Sequence, residues 1–323
     1  MAEEPPKELP NPCPFTTDLF SSGNNQQDDV LSSLPASFHH YAEYGNTKLR
    51  TLGVPAHDVQ RFLESELCLG DLEGLLNYLW FAGAKRLVHR LHLQLAMGRH
   101  IAVADKMDLH LLWQNNGRVF IKPLPKFLLH STFWKEHLRC DVTDCACNAS
   151  SSDMATIRGC KRNLQRVALG FLYSYVCLIS SEVDFSIANE CRLLPRDEND
   201  ATIKWREWKQ FAAEFLESHK DENIHPRFLR AELRLSRINT ISRLISIPSF
   251  NPYYREWRNY EDFFKDNLSW LAASTVFIAL VLTAMQVGLA TDRLQGNESF
   301  QRASYGFTVL SILGPLCALG ETF

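Results

Sequence analysis

Positive charge is not in excess in this chain: 34 Lys and Arg stand against 37 Asp and Glu, a formal net charge of -3. Proteins that bind nucleic acid usually carry a clear basic excess, so nucleic acid is excluded as the expected partner. An export signal is also missing. Residues 1–14 hold Glu3, Glu4 and several prolines but no apolar core, so insertion is not expected from the N-terminus. No G-x-S-x-G occurs, and the SSDMAT segment starting at Ser151 has no preceding glycine. The strained turn that presents a hydrolase serine is therefore absent. Paired C-x2-C is absent as well. Of the nine cysteines, Cys140, Cys145, Cys147 and Cys160 cluster with the spacing C-x4-C-x-C-x12-C. Four thiolates are what a structural zinc site needs, but zinc ribbons pair them two residues apart; the set reads as free thiols in a polar loop of a reducing compartment.

Long uncharged runs are rare here, and two stand out. Residues 268–290 carry no charge, and neither do residues 303–320. About 20 helical residues cross a bilayer. The first run is long enough with some tilt, and the second follows a short polar turn. Ala284 and Gly288 are four apart in the first run, and Gly314 and Ala318 in the second, the small-residue spacing that lets helices approach closely. Gln286 is the one strongly polar side chain of the first run. Arg255, Arg258 and Lys265 precede it, and Arg293 and Arg302 lie in the turn, a slight bias that puts both termini in the cytosol. The turn would then be lumenal or extracellular, with Asn297-Glu298-Ser299 as a glycosylation sequon. Nothing in the sequence says which membrane.

The rest of the chain reads as mainly helical. Residues 1–37, with the tract SSGNNQQDD, form an expected disordered tail. Residues 38–250 form a mostly helical soluble domain with one small β-hairpin and the polar Cys-rich loop at 140–160. Asp71 caps an expected helix with Leu72, Leu75, Leu76, Leu79 and Trp80 on one face. In MDLHLLW, Leu109, Leu111 and Trp113 alternate with Asp108, His110 and Leu112; a type I′ turn at Asn116-Gly117 puts Trp113 opposite Phe120. About 15 uncharged residues from Val167 to Ser181 are too few for a span and suit a buried helix. Trp205, Trp208, Ala212, Phe215 and Leu216 form another stripe, and a helix is expected from Pro226 to Ile245. Tyr253, Trp257, Tyr260 and Phe264 recur at helical spacing, predicting an interfacial aromatic helix over residues 251–267. A transmembrane hairpin of residues 268–290 and 303–320 completes the architecture.

The segments MDLHLLW, IKPLPKFLL, LRLSRINTI and VLTAMQVGLATDRL with FQRASYGFTVLSILGPL resemble an uncharacterised fungal integral-membrane family, defined only as a domain of unknown function. The resemblance runs over roughly residues 67–315. Members are sometimes loosely labelled subtilisin-like, which implies a serine nucleophile with a positioned base; the missing motif argues against that activity here.

Three further sets of residues carry candidate chemistry. Asp108 and His110, with Asp105, His100 and Lys122 nearby, could act as acid and base or bind a metal. His89 and His92 lie three apart without an evident third ligand. Arg230, Arg234 and Arg237, joined by Arg227, form one basic row on the expected helix, facing either anionic lipid or Glu207, Glu214 and Glu217. None of these becomes an assignment: no catalytic, cofactor-binding or metal-binding residue and no cofactor is named. The sequence leads to a multi-pass membrane protein whose partners are the lipid bilayer and, through the hairpin, a second protein or a second copy. Its expected role is non-catalytic, as an accessory or interaction protein. The alternatives are a membrane-tethered enzyme acting on a lipid or apolar substrate and a subunit of an oligomeric transporter.

Overall fold

The computed structural model describes residues 13–17, 19, 33–44, 47–139, 160–196, 201–245, 253–254 and 260–320, with backbone alone for 41–44, 47–49, 260–271 and 314–320. The chain divides into two compact units, Met1–Tyr254 and Arg255–Phe323.

In the first unit β1 (Phe38–Tyr44) and β2 (Thr47–Gly53) pair antiparallel, from Phe38 opposite Gly53 to Tyr44 opposite Thr47. Helix α1 (Val59–Glu66) is capped by Asp58, whose carboxylate accepts from the Arg61 amide at 3.0 Å. A 3₁₀ segment, Gly70–Tyr78, leads into α2 (Leu79–Ala82). At three residues per turn Leu72 and Leu75 stack on one side. They and Leu79 are buried, whereas Trp80, expected on the same face, is 67% exposed.

After α3 (Leu91–Ala96) comes the strand region. β3 (His100–Val103), β4 (Leu112–Trp113), β5 (Arg118–Ile121) and β6 (Leu233–Arg234) make a mixed sheet in the order β3-β5-β4-β6. The expected single hairpin is therefore the centre of a larger sheet, beside the separate pair β1–β2. Its register differs by one residue from expectation. Trp113 lies opposite Val119, and Leu112 opposite Phe120. The loop is one residue longer than a type I′ turn: the Gly117 amide bonds to the Gln114 carbonyl at 3.1 Å, and Gly117 takes φ +86°. That is a type I turn closed by a left-handed glycine, the usual three-residue hairpin loop.

The uncharged stretch after the Cys-rich segment is a core helix, as expected. α4 (Lys161–Leu178) buries Val167, Ala168, Phe171, Leu172 and Tyr175 completely. At Gly170 the ring of Phe228 comes so close that a Cβ there would meet it at 2.4 Å. The chain then bends by 114° into α5 (Glu182–Glu190). Ser181 and Asp184 cap α5 reciprocally. In α6 (Trp205–Ser218), Trp208, Phe211 and Phe215 are buried, while Leu216, which the expected stripe included, is exposed.

The expected helix from Pro226 to Ile245 is broken. A 3₁₀ turn, Pro226–Leu229, and strand β6 precede α7 (Leu235–Ile245). Pairing of β6 with β4 through Leu112–Leu233 and Trp113–Arg234 takes these residues into the sheet, so tertiary context overrides helix propensity. Residues 13–17 depart from the expected disordered tail. Phe15 is buried against Trp134 and Phe211, and Glu214 of α6 accepts from the amides of Thr16 at 2.7 Å and Thr17 at 2.9 Å.

The second unit holds α8 (Tyr260–Leu289), a short turn and α9 (Glu298–Gly320). Among the described residues one helical window, Ala272–Leu289, is long and apolar enough to cross a membrane, and Gly288 apart none of it is buried within the chain. The expected interfacial helix is not a separate element. Tyr253 and Tyr254 lie in a bend, and Tyr260 opens the same helix that carries the apolar window; Trp257 lies outside the described residues. Asn297 caps α9, its side-chain oxygen accepting from the amides of Ser299 at 3.0 Å and Phe300 at 3.2 Å.

Candidate functional site

The strand region places its polar residues around Leu111, which has φ +60°. A bulky side chain in the left-handed region costs on the order of 1–3 kcal/mol. Two ladder bonds hold it there: the Leu111 amide to the Phe120 carbonyl at 2.7 Å, and the Leu233 amide to the Leu111 carbonyl at 2.9 Å. This twist turns His110 inward instead of onto the solvated face of the hairpin.

His110 is buried between α4 and the sheet, edge-on to Phe171 at 4.8 Å and stacked on Tyr175 at 5.9 Å. Its Nδ1 accepts the Lys122 backbone N–H at 3.1 Å. The neutral ring must then carry its proton on Nε2, which lies 2.8 Å from Ser174 Oγ. Ser174 in turn donates to the Phe171 carbonyl at 2.6 Å. Burial, and then the nearby Arg227 and Lys122, hold the His110 pKa well below the ordinary imidazole value. A serine nucleophile needs a histidine nitrogen that can accept its proton. Here that nitrogen is the donor, so this buried Ser–His pair is a strut.

Lys122 is almost wholly buried, with its ammonium 2.8 Å from Glu66 and 3.4 Å from Asp105 Oδ1, and it donates to the Asp105 carbonyl. Burial raises the Glu66 pKa despite the Lys122 charge. Asp105 itself is in water. Asp108 does not join this group. It faces Gly70 and Tyr253, whose hydroxyl reaches the Asp108 carbonyl at 3.5 Å, and its Oδ1 is buried without a hydrogen-bond partner. Burial raises its carboxyl pKa. The fold thus brings His110, Lys122 and Asp105 together through Lys122 and leaves Asp108 apart, with no common position for a reacting atom.

Arg227, also buried, lies under His110. Its guanidinium donates to the His110 carbonyl at 2.9 Å and the Ala231 carbonyl at 3.4 Å, and burial lowers its pKa to about 10. The other arginines of the expected basic row meet neither the α6 glutamates nor one another. Arg230 donates to the Gly83 carbonyl at 3.0 Å, and Arg237 to the Phe81 carbonyl at 2.9 Å. Arg234 donates to Asn115 Oδ1 at 2.9 Å and lies over the Trp113 ring.

His89 and His92 each find a buried carboxylate. Glu232 accepts the His89 amide at 2.9 Å and its Nδ1 at 3.1 Å; Asp184 accepts the His92 amide at 2.9 Å and its Nδ1 at 2.8 Å. Gln94 also donates to Glu232, and Arg86 lies 3.7 Å from it. Despite burial, these hydrogen bonds lower the pKa of both acids. The partners of Glu232, Asp184, Ser174 and Arg227 in this site could not be read locally, because each lies 64 to 143 residues away along the chain. Among the described residues no group of three or more His, Cys, Asp and Glu could hold a metal ion. Cys140, Cys145, Cys147 and the SSDMAT segment lie outside them; Cys160 is buried.

Compared with known proteins, residues 59–315 match a family described as a family of unknown function, DUF6601. No curated protein and no solved structure matches the chain.

Proposed function

The chain belongs to the DUF6601 family, and from that premise we propose that it is a membrane-anchored, non-catalytic accessory or interaction protein. The observation that carries this reading is the use made of the acid–base residues: His110 donates to Ser174 where a base would have to accept. Lys122, Glu66, Glu232 and Asp184 are likewise committed to internal bonds.

The anchor is the apolar window Ala272–Leu289, which Gly288 apart is not buried within the chain. α9 returns as the second span, making the chain multi-pass with both termini cytosolic and the turn around Asn297 on the far side. Support comes from the close approach of Gly288 to Phe300, where a Cβ would lie 2.8 Å from the ring. The hydroxyls of Thr283, Thr308 and Ser311 bond back to carbonyls four residues earlier at 2.7 to 2.8 Å, which satisfies them without water.

The test is affinity capture of the full-length protein from membranes in mild detergent, with alkaline extraction and protease protection run alongside. Resistance to extraction and a stoichiometric partner support the reading. Release by alkali overturns the anchor, and turnover of a co-purified lipid or apolar substrate overturns the non-catalytic role.

A further inference from the structure

Charge is segregated in this chain in a way its near-neutral total hides. Residues 74–104 contain no Asp or Glu, and neither do residues 233–255. The fold packs these two acid-free stretches together. Arg237 of α7 donates to the Phe81 carbonyl at 2.9 Å and lies 5.3 Å from that ring, and the Ala231 amide bonds to the Ala84 carbonyl at 3.2 Å. Nearby Glu232, the acid that closes the second stretch, is fully buried at its side chain and already holds His89 and Arg86.

The surface they present mixes cations with large apolar side chains. Trp80 is 67% exposed and Leu87 65%, with Phe81 beside Trp80 at 6.1 Å. Lys85, Arg86 and Arg90 stand exposed along the same segment. On α7, Arg237 and Leu244 are seven residues apart and so share a face, and Leu244 is 63% exposed. An aromatic and aliphatic patch interleaved with Lys and Arg is the composition of a surface that seats at a headgroup layer.

We propose that this face, residues 78–90 with the exposed side of α7, docks on an anionic lipid bilayer. The proposal rests on the anchor reading above, because chain connectivity supplies the proximity. Tyr254 is hydrogen-bonded to Asn239 of α7 at 2.9 Å, and after five intervening residues α8 begins. Residues 255–271 then separate the first unit from the apolar window. Five extended and twelve helical residues reach at most about 35 Å. An acidic protein or nucleic acid would also meet the cations, but neither accounts for Trp80, Leu87 and Leu244 being bare on a unit held that close to lipid.

The experiment uses the full-length chain in nanodiscs of phosphatidylcholine alone or mixed equally with phosphatidylserine, read by amide hydrogen exchange. Co-elution with the discs reads the anchor. Docking predicts that amides of residues 78–93 and 237–245 exchange about tenfold more slowly in the phosphatidylserine discs. Raised salt should abolish this in the unmodified chain, as should the double substitution Lys85→Glu with Arg90→Glu. Exchange in α4 should stay constant, which guards against a variant that merely misfolds; the salt titration decides by itself if that variant does not fold. Equal exchange in both discs overturns docking and leaves the anchor standing. Protection that follows the number of chains per disc, independent of lipid, assigns the face to a second copy and overturns it too. A chain that fails to co-elute overturns both.

Discussion

Asn239 and Tyr254 clasp each other through two hydrogen bonds, both 2.9 Å: the Asn239 amide nitrogen donates to the Tyr254 carbonyl, and the Tyr254 amide donates to Asn239 Oδ1. The side chain of Asn239 serves as a short stand-in for a neighbouring strand and closes the first unit just before the connection to α8. Its side chain is buried, and its loss removes both hydrogen bonds. Asn239→Ala should cost about 1–3 kcal/mol, measured as a shift in the thermal melting of the first unit within the full chain. Asn239→Asp should be no better, since it sets a carboxylate oxygen against a carbonyl. Wild-type stability in both would show that the clasp contributes nothing.

Ser174→Ala should behave as the loss of a buried acceptor. The His110 Nε2–H would be left without a partner at a cost of about 1–3 kcal/mol. Fluorophosphonate probes, which label activated serines, should not label the unmodified protein at Ser174; covalent labelling there, read by mass spectrometry, would overturn the assignment of this pair as a strut.

Acid should destabilise the first unit through its buried histidines. Burial, with Arg166 and Arg227 nearby, lowers the His225 pKa to about 4, and His110 lies well below its ordinary value. Both groups are neutral when folded but bind a proton near pH 6.5 when unfolded. The unfolded state therefore takes up more protons as pH falls from about 6.5 towards 4, and stability is lost over that window. His225 alone accounts for on the order of 3 kcal/mol. The raised carboxyls of Glu66 and Asp108 act in the opposite direction. His225→Asn, whose oxygen can replace Nδ1 as acceptor of the Arg227 amide, should flatten the slope in urea melts between those two pH values. An unchanged slope would remove His225 as a cause.

Gly170→Ala should be destabilising although alanine favours a helix by about 1 kcal/mol. The new methyl would sit 2.4 Å from the Phe228 ring and 2.8 Å from its Cβ, and Phe228 is itself buried. An overpacked core costs about 1–3 kcal/mol, so the net change in denaturant melts should be a loss.

Gly288→Ile tests the packing within the second unit. The Gly288 Cβ position is 2.8 Å from Phe300 and 3.3 Å from Leu294, so a branched side chain should separate α8 from α9. Crosslinking between cysteines introduced at positions 284 and 304 should fall several-fold relative to the glycine parent, with Gly288→Ala intermediate. Equal crosslinking would show that the two helices do not depend on this approach.

Much of the local structure could be read from the chain because period and composition act over short distances. The uncharged run from residue 268, the core helix after the Cys-rich segment and the α6 stripe all declare themselves through length and spacing. The β4–β5 hairpin did so in kind but not in register, because one extra turn residue at Gly117 moves every pairing by one. Trp80 was placed on the wrong face because the segment before it winds as 3₁₀ rather than α.

By itself the sequence determined which segments are apolar, where charge is absent and which family the chain resembles, since these depend only on residues near one another. Tertiary structure alone decided the roles of the reactive side chains. His110 became a strut when Lys122 took its Nδ1, the arginine row dispersed when Leu233 joined the sheet, and His89 and His92 were engaged by Glu232 and Asp184. Burial makes an unpaired polar group costly, so each found its partner wherever the fold brought one, without regard to distance along the chain.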